Sequence, residues 1–181
     1  DREAPFFFSK PRDAVTCAEA VPYPPATNDL HHEVELVLAV GGTGADLGPD
    51  EAGALIFGAA AGVDLTRRDL QAEAKKAGRP WDMAKGFDAS APIGLIRPGR
   101  APETGDITLS VDGRVRQSGD LSHMIWSNAE ILSHLSGLVR LEPGDLVFTG
   151  TPAGVGAIRP GEQIEALIAD LPPLRFRVFQ P

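Results

Sequence analysis

A β-rich α+β fold is what this sequence predicts, and three observations predict it. Its 181 residues include 20 glycines and 16 prolines dispersed along the chain, a composition that suits many short elements joined by tight turns. Several runs have the length and Val/Ile/Leu/Phe content of strands, whereas two stretches carry a helical start, stripe and stop. The strands do not alternate regularly with helices, which argues against a doubly wound sheet.

Val34–Val40 is the first strand, rich in Val and Leu. Leu55–Val63 follows, and its small residues allow another element to approach closely. A helix is expected near Thr66. Thr66 and Asp69 resemble a capping box, Leu70, Ala74 and Ala77 form an apolar stripe, and Gly78 with Pro80 supplies the stop. Ile107–Val111 and Arg114–Gln117 flank Asp112-Gly113, the signature of a type I′ hairpin. Ser127 with Glu130 starts a second helix, with Ile131, Leu135 and Leu138 as its stripe and Gly137 near its end. Asp145–Thr149, Gln163–Ile168 and Leu174–Phe179 complete the strands, and Pro-Gly turns precede the first two of these.

No linker or low-complexity segment divides the chain, so residues 1–181 read as one domain with room for a sizeable core. The net charge of −8 argues against nucleic acid or an anionic membrane as partner. Cys17 is the single cysteine, which points to a reducing compartment such as the cytoplasm. The sequence carries no recognisable signal peptide and no apolar stretch of membrane-spanning length.

Glu33 and Glu35 sit inside Leu-His-His-Glu-Val-Glu-Leu-Val-Leu-Ala-Val. Residues i and i+2 of a strand share a face, so two carboxylates project side by side from an apolar element. Buried without partners, each would cost on the order of several kcal/mol. A hard, oxygen-preferring dication such as Mg²⁺ is the simplest remedy. The alternative is the hydrated face of an edge strand. Asp64, at the end of the Leu55–Val63 run, is placed either to be a third ligand or to cap the next helix. Together the three would leave coordination positions open for water and substrate.

Lys85 is either a surface lysine or a cation that offsets the carboxylates and steadies a developing enolate. Arg68 and Gln71 face either the same cavity or solvent. Thr149-Gly-Thr-Pro-Ala-Gly-Val-Gly reads as a plain turn or as a cradle where N–H groups and the Thr151 hydroxyl hold a carboxylate. It fits neither the Walker nor the dinucleotide pattern. His31 and His32 lack the nearby partners zinc requires, Trp81 and Trp126 read as core or interface, and no serine triad is legible.

Four segments in order, Leu30-His-His-Glu-Val-Glu-Leu, Gly62-Val-Asp-Leu-Thr-Arg-Arg-Asp-Leu-Gln, Lys85-Gly-Phe-Asp and Phe148-Thr-Gly-Thr-Pro-Ala-Gly-Val-Gly, resemble the fumarylacetoacetate hydrolase family. Pro5-Phe-Phe-Phe-Ser-Lys-Pro and Gly78-Arg-Pro-Trp-Asp-Met-Ala-Lys-Gly-Phe-Asp further resemble bacterial members that act on fumarylpyruvate. The resemblance implies a mixed β-sandwich roll, a homodimer, and Mg²⁺ (with Mn²⁺ as the alternative) held by Glu33, Glu35 and Asp64. It implies that Lys85 is catalytic at the oxo-acid end of the substrate, with Arg68, Gln71 and Thr151 lining the pocket. The implied reaction is hydrolysis of the carbon–carbon bond of an acylpyruvate, fumarylpyruvate to fumarate plus pyruvate, in the breakdown of aromatic compounds.

The family also implies a His–Glu general base on an N-terminal lid ahead of the Phe-rich stretch. No histidine precedes Phe6, and the chain opens at Asp1 without an initiator Met, so the lid is expected on residues before Asp1. Decarboxylation of oxaloacetate, isomerisation of an oxo-diacid, or oxo-acid binding without catalysis would use the same metal site.

Overall fold

The computed structural model describes residues 2–181. Strands β1 (Val15–Thr16), β2 (Ala20–Pro22), β3 (Leu30–His32) and β4 (Val34–Val40) come first, followed by α1 (Pro49–Ala54). Next are β5 (Ile56–Val63), β6 (Thr66–Arg67), α2 (Arg68–Ala77), α3 (Asp82–Lys85), β7 (Ala91–Pro92) and β8 (Arg97–Pro98). The hairpin β9 (Asp106–Val111) and β10 (Arg114–Asp120) leads to α4 (Asn128–Ser136). The chain closes with β11 (Leu146–Phe148), β12 (Gly156–Ala157), β13 (Gln163–Ile168) and β14 (Leu174–Phe179). The fold is therefore sheet-rich with four short helices among the described residues, as its Gly- and Pro-punctuated sequence requires.

Two sheets carry the main core. One has the order β10-β9-β13-β14-β2 and the other β11-β4-β5-β8. A three-stranded sheet, β12-β3-β6, and the pair β1-β7 border them. Leu36 and Leu38 of β4 and Ala61 and Val63 of β5 pack in one cluster with Leu109, Ile164, Phe176 and Val178 of the other sheet. Each large apolar side chain fully buried there contributes about 1.5–3 kcal/mol. The alternate face of β4 is buried as well: Val37 packs with Ala60, Ile93 and Phe148 in a second cluster. Glu33 and Glu35 share that second face by the two-residue period, so they project from a backbone held from both sides.

The hairpin forms as expected: Asp112 and Gly113 both have positive φ, 48° and 74°, which defines a type I′ turn. The Ser127–Glu130 capping box also forms, each side chain taking the other's backbone N–H. Three expectations fail, in two places. Thr66 does not cap α2. It lies in β6, paired with His31, and Arg67 is the N-cap with no side-chain hydrogen bond. Asp69 instead accepts from the Thr27 hydroxyl and the Asn28 N–H. The Leu70/Ala74/Ala77 stripe is not the buried face either, since the buried residue of α2 is Gln71. In α4 the helix stops at Ser136, leaving Leu138 outside it and exposed. In both places tertiary contacts override the local pattern.

Candidate metal centre

β4 and β5 run antiparallel with Val34 opposite Val63 and Glu35 opposite Gly62. One step beyond, the Asp64 N–H donates to the Glu33 carbonyl over 2.8 Å. Glu33 and Asp64 thus face each other at the mouth of the ladder, and Glu35 lies one pleat further in. A Cβ on Gly62 would lie 2.4 Å from Val37 Cγ2 and 2.8 Å from Phe148 Cε1. The bare glycine therefore admits the Phe148 ring beside Glu35. The three residues offer oxygens within 4.8 Å of one another, and all three are buried. This arrangement removes both alternatives, a hydrated edge strand and a helix-capping Asp64.

Side chains from three other elements converge on the carboxylates. Lys85, at the end of the single-turn helix α3, donates to Asp64 Oδ2 at 2.5 Å, Glu33 Oε2 at 2.8 Å and Thr66 Oγ1 at 2.7 Å. It is one of the most completely buried side chains in the protein, so it is not a surface lysine. Arg68, at the start of α2, pairs with Glu33 Oε1 and donates to the Gln71 side-chain oxygen. Gly150, in the turn after β11, has φ +99°, a value that favours glycine, and points its N–H at Glu35 Oε2 over 2.6 Å.

The electrostatics follow from this geometry. Burial would raise the Glu33 pKa, but Lys85 and Arg68 outweigh it and hold the carboxyl below its ordinary range. Burial pushes Glu35 up to about 8, helped by the Asp64 charge and opposed by the Gly150 N–H. Burial also raises Asp64, against the pull of Lys10 and Lys85. Asp64 Oδ1 is buried and faces the Lys10 ammonium at 2.7 Å. The donor set still disfavours ionisation at Glu35 and Asp64, despite the cations around it. Its all-oxygen chemistry fits a hard divalent cation.

The carboxylates open into a cleft of about 1630 Å³, well above the roughly 300–1000 Å³ of a small-molecule site. Phe6, Phe8 and Trp81 line its mouth together with Thr151 and Gln71. Phe6 packs edge-on to Trp81 with ring centroids 5.1 Å apart, and Phe8 lies tilted against it at 6.1 Å. Trp81 is therefore a wall of the cleft and not a core residue.

A model of the fumarylacetoacetate (FAA) hydrolase C-terminal domain matches residues 1–179. The chain belongs to the fumarylacetoacetate hydrolase family. Among family members, a fumarylpyruvate hydrolase from a Ralstonia species is 45% identical over 165 residues, which cover 90% of this chain and 86% of that protein. The mitochondrial oxaloacetate tautomerase FAHD1 of Pongo abelii is 39% identical over 182 residues, with 98% and 82% covered. The crystal structure of fumarylpyruvate hydrolase from Pseudomonas aeruginosa, in complex with Mn²⁺ and pyruvate, superposes with a TM-score of 0.95 at 46% identity, covering 99% of this chain and 81% of that one. The mixed β-roll expected from the family motifs is thus the fold observed.

Within this family fold, three residues near the carboxylates escaped the sequence reading. His31 donates from Nε2 to Asp29 Oδ1 at 2.9 Å and accepts from Arg68 Nε at 3.3 Å, which steadies the guanidinium. Gln117 is turned inward by a β-bulge between Val115 and Gln117. Its Oε1 accepts from the Val34 N–H at 3.0 Å and from His32 Nδ1 at 2.8 Å. Its Nε2 donates to Thr151 Oγ1 at 2.8 Å and to the Pro152 carbonyl. Lys10, within the Phe-rich motif, has its Nζ 2.7 Å from Asp64 Oδ1. Only the adjacency of His31 to Glu33 was visible in the sequence. The other two approach from distant elements.

Proposed function

We propose that this chain is a metal-dependent hydrolase that cleaves the carbon–carbon bond of an acylpyruvate, with fumarylpyruvate as its substrate. The observation that carries the reading is the convergence of Glu33, Glu35 and Asp64 on one cleft beside Lys85 and Arg68. The similarity to a fumarylpyruvate hydrolase crystallised with Mn²⁺ and pyruvate supports it.

Glu33, Glu35 and Asp64 would hold Mg²⁺ or Mn²⁺, which when bound supplies Lewis-acid polarisation of an oxo-acid's oxygens. The protein's own groups do the rest. Lys85, fixed by Thr66, offers its ammonium to the negative charge that appears on the pyruvate half as the carbon–carbon bond breaks. Arg68 orients a carboxylate of the substrate, with Gln71 and His31 holding the guanidinium plane. Thr151 Oγ1 accepts from Gln117, which leaves its own O–H free to donate to a substrate oxygen. Phe6, Phe8 and Trp81 give the substrate an apolar wall. In the overall reaction, water oxygen becomes part of the released carboxylic acid, the bonding pair passes to the pyruvate methylene, and a proton completes pyruvate. The water-activating His–Glu pair expected ahead of Asp1 lies outside the described residues. The chain would act as a homodimer, using the exposed Ile125, Leu138 and Val139 beside the cleft.

Oxaloacetate is the second reading, favoured by the 39% identical tautomerase. Enolisation or decarboxylation of oxaloacetate develops the same kind of charge beside Lys85. Both substrates are tested with the full-length protein by following loss of fumarylpyruvate absorbance against formation of pyruvate, and loss of oxaloacetate in parallel. Chelator-sensitive fumarylpyruvate cleavage is expected. Faster oxaloacetate turnover with no cleavage of acylpyruvates would replace the hydrolase reading.

A further inference from the structure

Lys10 follows the aromatic stretch at the cleft mouth, yet its side chain is only a tenth exposed. A lysine ammonium has three N–H donors, and all three are taken: by the Leu65 carbonyl at 3.1 Å, the Lys85 carbonyl, and Ser90 Oγ at 3.0 Å. Its fourth contact, 2.7 Å to Asp64 Oδ1, is an ion pair between two buried groups. Ser90 Oγ in turn donates to the Lys85 carbonyl at 3.0 Å and accepts from the Phe87 N–H.

One ammonium thereby joins the N-terminal stretch, the β5–β6 junction that carries Asp64, and the end of α3 that carries Lys85. Desolvating an ammonium is unfavourable, and an apolar side chain could tie these segments at less expense. The cation is placed where both the Asp64 carboxylate and the Lys85 backbone depend on it.

We propose that Lys10 is a positioning residue for the metal centre. Acting through Asp64 and through the main chain at Lys85, it sets the distance between the ligand carboxylates and the Lys85 ammonium. It touches neither substrate nor the ion. This inference rests on the reading of Glu33, Glu35 and Asp64 as a ligand set.

The sign of a metal-affinity change separates positioning from charge compensation. A bare charge at Lys10 repels a dication, so its removal alone would tighten binding. Loss of positioning weakens binding, by roughly 10- to 100-fold for groups that orient ligands. Metal-stripped full-length protein is titrated with Mn²⁺, with free Mn²⁺ read by electron paramagnetic resonance, for wild type, Lys10→Met and Ser90→Ala. Weaker binding is expected in both variants, several-fold in Ser90→Ala, which keeps the Lys10 charge and removes one acceptor. Unchanged or tighter binding in folded Lys10→Met overturns the proposal. If Lys10→Met does not fold, unchanged binding in Ser90→Ala overturns it. Wild-type protein that binds no Mn²⁺, or whose binding survives Glu33→Gln combined with Glu35→Gln, instead sinks the metal reading on which the inference stands.

Discussion

Glu35 Oε2 accepts a 2.6 Å hydrogen bond from the Gly150 N–H, and that single donor does not offset the burial of the carboxyl. The turn after β11 is therefore linked directly to a carboxyl that burial holds toward its protonated form.

A stability trend with pH follows. Glu35 has a folded-state pKa of about 8, above its ordinary value of 4.5, so folding favours its protonated form. Its contribution to stability is present below the unfolded-state pKa and is lost as pH rises through the folded-state pKa. The melting temperature of metal-free protein is expected to fall between about pH 4.5 and about pH 8, and to fall less in Glu35→Gln. Saturating Mn²⁺ should flatten the wild-type profile. Differential scanning calorimetry across the range checks this, and identical slopes in wild type and Glu35→Gln would refute the assignment.

Metal binding should also release protons. Below about pH 8 a dication must displace the Glu35 proton, so calorimetric titration in buffers of different ionisation enthalpy should show net proton release that shrinks toward higher pH. A buffer-independent heat would mean that Glu35 is not a ligand.

Lys85→Met leaves Glu33 and Asp64 without their shared ammonium. Breaking a buried pair by removing one partner destabilises by about 3–5 kcal/mol, and denaturant unfolding of metal-free protein should register that loss. Added Mn²⁺ should recover part of it by supplying positive charge to the same carboxylates. Turnover should stay roughly 100-fold down or lower even with metal, as for loss of one charge-stabilising donor.

Gln117→Leu strips a fully buried amide that serves the Val34 N–H, His32, Thr151 and the Pro152 carbonyl. Each donor or acceptor left unsatisfied costs about 1–3 kcal/mol. The variant is expected to lose stability and, through the freed Thr151, to raise KM more than it lowers kcat. Steady-state kinetics at a temperature where the variant is folded separates the two effects.

Chelation should abolish turnover, and Mg²⁺ or Mn²⁺ should restore it. Glu33→Gln should not be restored at any metal concentration that saturates wild type, because the same substitution also unpairs Arg68.

How much of this was legible beforehand depends on the range of the contact. Strands Val34–Val40, Gln163–Ile168 and Leu174–Phe179 coincide with their apolar runs, since two-residue alternation and β-branched content are local. The Asp112-Gly113 turn and the Ser127–Glu130 cap are local as well. The pairing of Glu33 with Glu35 needed only the strand period. Thr66 failed because it pairs with His31 in β6 and its hydroxyl accepts from Lys85, 19 residues away, and Gln117 was hidden because a bulge reversed its expected face.

By itself the sequence determined which carboxylates lie side by side, because strand geometry acts between neighbours two residues apart. Only the tertiary structure decided that Asp64 meets Glu33 across the β4–β5 ladder, that Lys85 and Arg68 neutralise them, and that Lys10 reaches the same carboxylate from the N-terminal stretch. Charge compensation is a matter of distance in space, and the two-sheet core sets those distances.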